Sequence, residues 1–341
     1  MRVGILTGGG DCPGLNAAIR AVVMRLLDFR HEAVGISRGW LGLIEGITQP
    51  LPLDRVDEII STGGTILGSS RTNPFKRDED LTKCLATVQA LGLNAIVAIG
   101  GEDTLGVANN LHKLGVDTVG IPKTMDNDVC GTDYTFGFDT AVSVAVDAVD
   151  RLRDTAKSHH RTMVLEVMGR HTGWVALYTA IAGGADWALI PEVSPDLGEM
   201  CDHILRLRER GKPYSIVVAS EGIDLPQAEE EGISVDAFGH VILRERGVGD
   251  FLAKEIESRI GVETRCAVLG HIQRGGSPTV FDRVLATRLG LKAAEMVNGG
   301  EFGRMSAFVA NEIVSVSMDE AVSRVKTMPI SLYDEAKLLF K

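Results

Sequence analysis

The sequence predicts an α/β fold with two doubly wound domains and mostly parallel central sheets, and three observations predict it. Short apolar runs typical of buried strands alternate with helix-like stretches. This alternation starts again at about residue 139. Glycine accounts for 39 of the 341 residues, about 11%, which exceeds the roughly 7% average. Many of these glycines stand in clusters directly after an apolar run.

The apolar runs define the predicted strands, and the segments between them define the helices. The strands are RVGILT (2–7), EAVGIS (32–37), NAIVAIG (94–100), DTVGIP (117–122), RTMVLEVM (161–168) and SIVVAS (215–220). The helix-like stretches include GLNAAIRAVVMRLLDF and DTLGVANNLHKL. Ligands of such sheets bind beyond the carboxyl ends of the strands, so the residues that follow each strand are the candidates for chemistry.

Two domains with a cleft between them are expected. The first takes residues 1–138 plus about 275–305, and the second takes 139–274 plus about 306–325, which leaves 326–341 as a C-terminal extension. The segment 225–247 is acidic and then mixed in charge. It is predicted to be a surface insertion, either a hairpin or a helix with a loop, and the sequence assigns it no role.

Charge and cysteine content exclude several classes of function. The net charge of −11 would repel nucleic acid and anionic membranes, although arginines in a cleft can still attract a small anion. The five cysteines form no CxxC pair, which argues against zinc and disulfides and fits a reducing compartment. No apolar run approaches ~20 residues, and the chain does not open on a signal-peptide pattern. A cytoplasmic protein without a nucleic-acid or membrane partner is predicted.

Two glycine-containing segments are typical of phosphate binding. TGGGDCPGLNAAIR (7–20) leads from a strand through three glycines into a helix, where backbone amides can hold an anion. GGTILGSSR (63–71) ends in Arg71, which can clamp a phosphoryl group with paired hydrogen bonds. The alternatives are a tight turn for the first segment and a surface arginine for the second.

Acidic residues follow the next two strands of this half. Glu102 in IGGEDT suits Mg²⁺, which often takes one or two protein carboxylates and completes its shell with phosphates and water; a helix N-terminal acid is the alternative. PKTMDNDVCGTDYTFGFDTA (122–141) supplies Lys123, Thr124, Asp126 and Asp128. One carboxylate can accept a hydroxyl proton and the lysine can neutralise a phosphoryl group, unless the acids only form Asx turns.

Polar side chains also follow the strands of the second half. EVMGRHTGW (166–174) brings backbone and an arginine to a strand end, and SEGI places a carboxylate where it can accept sugar hydroxyl bonds. ETRCAVLGHIQRGGSP (263–278) adds two arginines and a histidine, a group suited to a dianionic phosphate. Taken singly, each residue could be an ordinary surface group, and His271 could be a buried histidine with satisfied hydrogen bonds.

These motifs occur in the order found in the phosphofructokinases, and the chain resembles that family over nearly its whole length. TGGGDCPGLNAAIR, PKTMDNDVCGTDYTFGFDTA, EVMGRHTGW and GHIQRGGSP carry the resemblance. It implies Mg²⁺-dependent phosphorylation of fructose 6-phosphate at its 1-hydroxyl. It also implies that Asp126 is the general base, with Thr124 and Asp128 beside the reacting group, and that Glu102 is the metal ligand.

The resemblance assigns the remaining site residues to two substrates. Gly10 and Arg71 fall on the phosphoryl-donor side. The sugar-phosphate positions are Arg161, Met168, Gly169, Arg170, Glu221, Arg265, His271 and Arg274. In the family, the residues matching Arg161 and Arg265 cross from a neighbouring subunit. This implies a homo-oligomer with shared sites, either a dimer or a tetramer.

The residue after the metal carboxylate indicates which donor is used. ATP-using relatives usually have glycine there, whereas this chain has Asp103, which would stand near the α-phosphate of a nucleotide. Two unit charges about 4 Å apart repel by about 4 kcal/mol at an effective dielectric near 20. Pyrophosphate ends before that place, Lys123 supplies compensating charge, and Val107 adds weak support, so pyrophosphate is the predicted donor.

Other functions stay open as alternatives. The nearest is an ATP-dependent phosphofructokinase, and a more distant one is a non-catalytic sugar-phosphate sensor. HIQRGG and MGRHTG oppose an NAD or lipid kinase. Basic residues near the effector positions of allosteric relatives are Arg20, Arg153, Arg210 and Lys212, but Met24 replaces an expected arginine. The sequence therefore leaves effector control, kinetic constants and the net metabolic direction undecided.

Overall fold

In a computed structural model the chain divides into two units, each built on its own sheet. The structure describes residues 1–225, residue 238 and residues 247–340. The first unit contains residues 1–140 and 274–326, and the second contains 141–225, 247–273 and 327–340. Apart from its two ends and residue 238, the predicted insertion 225–247 lies outside the described residues.

Strands and helices alternate along most of the described chain. The strands are β1 (Arg2–Thr7), β2 (Glu32–Ile36), β3 (Thr48–Pro50), β4 (Ala95–Gly100), β5 (Thr118–Pro122), β6 (Thr162–Val167), β7 (Trp187–Leu189), β8 (Ser215–Ser220), β9 (Thr264–Val268), β10 (Arg304–Val309) and β11 (Glu312–Ser317). The helices are α1 (Leu15–Asp28), α2 (Trp40–Glu45), α3 (Leu53–Val56), α4 (Asp78–Ala90), α5 (Glu102–Lys113), α6 (Phe138–His159), α7 (Trp174–Gly183), α8 (Leu197–Glu209), α9 (Val248–Ile260), α10 (Val280–Gly299), α11 (Met318–Ala321) and α12 (Ile330–Lys337).

The first sheet has the strand order β11-β10-β5-β4-β1-β2-β3 in the described part of the chain. Its five inner strands are parallel, and antiparallel β11 and β3 form its edges. Thr7 pairs with Ile99, and Gly100 pairs with Pro122. The loops after β1, β4 and β5 therefore leave the sheet side by side.

The second sheet has the order β7-β8-β6-β9 and is parallel throughout its described strands. Val167 pairs with Ser220, and Glu166 pairs with Val268. Residues 168–170 and Glu221 consequently emerge at one edge of this sheet. The predicted α/β class with mostly parallel central sheets is confirmed.

The core of the first unit explains why its strands read as continuous apolar runs. All six residues of β4 are buried, as expected for a parallel strand covered on both faces. Trp40 of α2 and Leu105 of α5 pack with Leu6 and Ile96 in one apolar cluster. A side chain at Gly290 of α10 would come within 2.7 Å of the Ala18 carbonyl oxygen, so glycine is what lets α10 lie close to α1.

The N-termini of α6 and α10 are capped together. The Oδ2 atom of Asp282 accepts hydrogen bonds from the backbone N–H of Thr140 at 2.8 Å and from its hydroxyl at 2.6 Å. Thr279 caps α10 by accepting from the N–H of Asp282, and its hydroxyl donates to Asp139 at 2.6 Å. Burial raises the pKa of Asp282 to about 6, although its bonds to Thr140 oppose the shift.

Two domain assignments differ from the sequence prediction. Residues 306–325, predicted in the second domain, belong to the first, because β10 pairs in parallel with β5 (Arg304 with Val119) and β11 pairs with β10. Residues 327–340, predicted as an extension, pack on the second unit, where the Tyr333 hydroxyl donates to the Ala188 carbonyl at 3.4 Å. Within the described residues, no helix is both long and apolar enough to cross a membrane.

Candidate active site

Backbone hydrogen bonds tie together the loops at the carboxyl edge of the first sheet. The N–H of Gly8 donates to Ile99 at 3.0 Å, that of Gly9 donates to Ser70 at 3.1 Å, and that of Lys123 donates to Gly100 at 2.9 Å. The glycine loop after β1, the 63–71 segment and the loops after β4 and β5 are therefore fixed against one another. The sequence predicted chemistry in all four segments.

The loop from Gly8 to Gly10 needs its glycines. A side chain at Gly8 would meet the Thr104 hydroxyl at 2.5 Å, and one at Gly10 would meet the Arg274 guanidinium at 2.6 Å. Gly9 adopts a φ of 75°, a conformation that glycine reaches without strain. The loop thus lies in close contact with α5 on one side and with Arg274 on the other.

Lys123 lies beneath this loop rather than at the surface. It is 3% exposed, and its ammonium group donates to the carbonyl of Gly8 at 2.9 Å and also to that of Gly10. Burial lowers its pKa. The cation therefore orders the glycine loop and places positive charge directly under it.

A cavity of about 490 Å³ opens above the loop. It is lined by Gly9, Gly10, Asp11, Thr65, Gly68, Ser69, Ser70 and Arg71. The lining brings together Gly10 and Arg71, two of the four residues predicted to bind the phosphoryl donor. Glycine, hydroxyl and charged residues make up this lining, so the cavity suits a small, strongly hydrated anion.

The two adjacent acids begin α5. Gly101 is the N-cap residue, and Glu102 and Asp103 occupy the first turn, where both are partly exposed. The positive end of the helix dipole stabilises carboxylates at this position. Both acids are thus placed at the sheet edge that carries the glycine loop.

The loop after β5 brings two more acids to the same edge. The Thr124 hydroxyl accepts from the N–H of Asp126 at 3.1 Å, and Thr135 donates to the Thr124 carbonyl at 2.6 Å. The pKa of Asp128 is raised to about 7, chiefly by burial and then by the charges of Asp126 and Glu102. The structure therefore brings Thr124, Asp126, Asp128 and Glu102 within electrostatic reach of one another.

Glu102 offers a carboxylate for a magnesium ion that takes its remaining ligands from phosphate and water. The charges of Asp126 and Glu102 raise the pKa of Asp128, so negative charge accumulates there and a cation would relieve it. The described residues contain no cluster of three or more His, Cys, Asp or Glu side chains arranged to hold a metal. Mg²⁺ needs no such cluster when phosphate oxygens and water complete its octahedron.

Arg274 lies against the glycine loop. Its guanidinium donates to the Asp11 carbonyl at 3.1 Å and lies against Gly10. The sequence placed Arg274 among the sugar-phosphate residues. The structure places it beside the glycine loop.

In the second unit, the loops after β6 and β8 interlock. The Ser220 hydroxyl donates to the Gly169 carbonyl at 2.5 Å, and the N–H of Glu221 donates to Val167 at 2.9 Å. Gly169 has a φ of 144°, and a side chain there would come within 2.6 Å of the Thr172 carbonyl oxygen. Met168, Gly169, Arg170 and Glu221 are thus brought to one sheet edge as predicted from the strand ends.

Arg161 and Arg265 lie elsewhere in the same unit. Arg161 forms an ion pair with Glu263 at 2.7 Å, and Arg265 pairs with the same carboxylate at 2.6 Å. The hydrogen bond from Arg161 is the main cause of the lowered pKa of Glu263. Arg161 precedes β6 whereas Met168 follows it, so about 20 Å of strand separates them. His271 is exposed in the short 3₁₀ helix Gly270–Arg274.

Three of the four basic residues near the predicted effector positions have partners within the chain. Arg20 donates to the Asp57 carbonyl at 2.9 Å, Arg153 donates to that of Gly184 at 3.0 Å, and Lys212 pairs with Asp186.

One buried residue that supports a site loop, Asn16, was not predicted from the sequence. Asn16 of α1 is fully buried; its amide donates to Thr62 at 3.0 Å and accepts from the N–H of Ile66 at 2.8 Å. It therefore fixes the 63–71 segment. Its position in an otherwise apolar stretch, LNAAI (15–19), could have indicated a buried asparagine with hydrogen-bond partners.

Comparison with known proteins gives consistent matches. The family model for phosphofructokinase matches residues 2–297. A pyrophosphate–fructose 6-phosphate 1-phosphotransferase from Dictyoglomus thermophilum is 52% identical over 344 residues, covering 100% of this chain and 99% of that protein. ATP-dependent 6-phosphofructokinase 3 from Streptomyces coelicolor is 48% identical over 342 residues, covering 99% of each. The T-state structure of Pichia pastoris phosphofructokinase superposes with a TM-score of 0.82 at 32% identity, covering 94% of this chain and 35% of that one.

Proposed function

The chain belongs to the phosphofructokinase family of phosphotransferases, and on that premise we propose that its phosphoryl donor is pyrophosphate. The proposed reaction is the reversible, Mg²⁺-dependent conversion of fructose 6-phosphate and pyrophosphate to fructose 1,6-bisphosphate and phosphate. The observation that carries it is the polar lining of the cavity above the glycine loop. Relatives about 50% identical over the full chain bear the name of this reaction.

The cavity supports a donor without a nucleoside. Small-molecule sites that hold a ring system are lined mainly by apolar and aromatic side chains, whereas glycine, serine, threonine, Asp11 and Arg71 line this one. Arg71 can clamp a phosphate with paired hydrogen bonds, and the Lys123 cation lies under the loop. These groups are assigned to the two phosphates of the donor, together with Gly10.

Asp103 supports the same choice by repulsion. Its carboxylate is in the first turn of α5, at the edge that carries the glycine loop. A third phosphate and a nucleoside would extend toward a fixed negative charge, whereas pyrophosphate ends before it. Asp103 and Lys123 are therefore assigned as the pair that selects pyrophosphate over ATP.

The transfer step is assigned to the loop after β5. Asp126 accepts the proton of the sugar 1-hydroxyl as that oxygen bonds to the phosphorus, while the bond to the bridging oxygen breaks and phosphate leaves. Thr124 and Asp128 flank the reacting group. A magnesium ion held by Glu102 and the donor phosphates would neutralise charge that develops on the phosphoryl oxygens.

The sugar phosphate is assigned to Met168, Gly169, Arg170, Glu221, His271 and Arg274. Arg161 and Arg265 are assigned to the sugar phosphate of a neighbouring subunit. Within one chain Arg161 and Met168 stand at opposite ends of β6. This separation supports the assignment of the two residues to sugar phosphates in different subunits. The proposed enzyme is a homodimer or homotetramer. All five cysteines are free thiols, which supports a reducing compartment such as the cytoplasm.

An ATP-dependent phosphofructokinase is the second candidate, because relatives 46–48% identical over nearly the whole chain are named so. The test measures fructose 1,6-bisphosphate formation with pyrophosphate or ATP, each with Mg²⁺ and fructose 6-phosphate. Turnover with pyrophosphate that is lost in Asp126→Asn is expected. Turnover with ATP and none with pyrophosphate would overturn the proposal.

A further inference from the structure

The loop after β5 is organised around Asn127, the residue between the two site acids. Asn127 is fully buried and has a φ of 52°. Its side-chain oxygen, Oδ1, accepts a hydrogen bond from the N–H of Thr135 at 3.1 Å. Its side-chain nitrogen, Nδ2, donates to the Asp133 carbonyl at 3.3 Å. The conformation of the loop therefore depends on where this one side chain is held.

Lys326 lies almost two hundred residues later in the chain, and its side chain binds Asn127 and the loop around it. Its ammonium group donates to the Asn127 Oδ1 atom at 2.9 Å and to the carbonyls of Thr132 and Asp133, each at 3.0 Å. An ammonium group has three donors, and three acceptors on the described residues lie within hydrogen-bonding distance of this one. The arrangement bridges the beginning and the end of the loop.

The backbone around Lys326 adds two contacts to the same loop. Its N–H donates to the Asp128 carbonyl at 2.8 Å, and Val325 forms an antiparallel bridge with Val129. The side-chain and backbone contacts of this segment thus converge on residues 127–133. These contacts fix the loop that carries the two acids, because they bind the side chain of Asn127 and the backbone carbonyl of Asp128.

The charge of Lys326 also acts on this loop. Burial lowers its pKa to about 8, while the negative charges of Asp128 and Asp133 oppose that shift. The interaction is mutual, so the cation favours the ionised form of Asp128. Lys326 thus affects both the geometry of the loop and the ionisation of Asp128.

We propose that Lys326 is a positioning residue for phosphoryl transfer, which holds Asp126 and Asp128 in place through Asn127 and the backbone of Asp128. The inference rests on the proposed function, because it assumes that these acids flank the reacting group. Displacement of a catalytic group by about 1 Å can cost on the order of 100-fold in rate. No sequence motif pointed to Lys326.

The experiment compares Lys326→Met with Lys113→Met. Lys113 is also in the first unit, but it lies at the surface in an ion pair with Asp319, so its variant controls for loss of a lysine. We expect Lys326→Met to lower kcat with pyrophosphate about 100-fold, with a much smaller change in the KM for pyrophosphate. We also expect the acid limb of its pH–rate profile to move to higher pH, because Asp128 loses a nearby cation. Lys113→Met should leave kcat, the KM for pyrophosphate and the pH–rate profile unchanged.

A Lys326→Met enzyme whose kcat and pH profile match those of Lys113→Met would overturn the inference. Lys326→Gln, which keeps N–H donors but loses the charge, is assayed in parallel and decides the question if the methionine variant is insoluble. Its expected result is an intermediate kcat with the same shift of the acid limb, and an unshifted limb with full kcat would count against the inference. Wild-type protein without pyrophosphate-dependent turnover would instead contradict the proposed function.

Discussion

Replacement of Asp103 tests the choice of donor most directly. Asp103→Asn removes the charge and keeps nearly the same volume, whereas Asp103→Gly removes both. If repulsion excludes the nucleotide, both variants should gain kcat/KM with ATP, and the glycine variant should gain more because it also opens space. Turnover with pyrophosphate should persist in the asparagine variant, since pyrophosphate ends before this residue.

Coulomb's law sets bounds on the size of the effect. Two unit charges about 4 Å apart interact by about 4 kcal/mol at an effective dielectric of 20 and by about 1 kcal/mol in water. Asp103 is partly exposed at the start of α5, so the relevant value lies between these limits. The expected gain with ATP is therefore about 5- to 1,000-fold. Asp103→Gly should also lose about 0.5–1.5 kcal/mol of stability, since it removes an N-terminal acid and adds a helical glycine.

The assay measures kcat/KM for ATP and pyrophosphate in the wild type, both variants and Asp78→Asn. Asp78 is an exposed acid in the first turn of α4, so its variant controls for loss of a helix N-terminal charge elsewhere. A gain confined to Asp103→Gly would assign the exclusion to volume rather than charge. Folded Asp103 variants that use pyrophosphate but gain nothing with ATP over Asp78→Asn would refute the reasoning.

Three further changes test the rest of the site. Lys123→Met should cost roughly 2–3 kcal/mol in urea unfolding and raise the KM for pyrophosphate, because the carbonyls of Gly8 and Gly10 lose a charged donor; unchanged values would contradict its role under the loop. Asp126→Asn should lower kcat by about 10²–10⁴-fold while calorimetry still detects fructose 6-phosphate binding; retained turnover would exclude it as the base. Because burial raises the pKa of Asp282 from 3.8 to about 6, the folded state binds the extra proton and stability should fall as pH rises from about 4 to about 6. Asp282→Asn should remove that slope, worth about 3 kcal/mol, and parallel unfolding curves of the two proteins against pH would contradict it.

Parts of the fold that depend on local sequence were predicted well. Strands such as Ala95–Gly100 are buried on both faces, so they read as apolar runs without any knowledge of their neighbours. Their loops were predicted as site loops for the same reason, because parallel strands present their carboxyl ends at one edge. Glu102 and Asp126 follow directly from that geometry.

Features that depend on partners distant in the chain were missed. Nothing in RMSAFV (304–309) indicates that it pairs with β5, so this strand was predicted only partly within the correct domain. The position of Lys123 was predicted near the phosphates, but its bonds to Gly8 and Gly10 depend on the path of a loop over a hundred residues earlier. Lys326 lies in a segment of mixed polarity, SRVKTM (323–328), and only the folded loop reveals that Asn127, Thr132 and Asp133 accept its hydrogen bonds.

The late position of β10 and β11 in the chain has a consequence for synthesis on the ribosome. The outer edge of β5 stays unpaired until residues 304–309 have been translated, by which time the entire second sheet has already emerged. An exposed edge of a central strand is a site for aggregation, so nascent chains of this protein should depend on chaperones longer than the early position of β1, β4 and β5 suggests. Because Lys326 is translated later still, a chain terminated before this residue lacks the ammonium group that binds its carboxylate loop, and we expect such products to turn over slowly even where they fold.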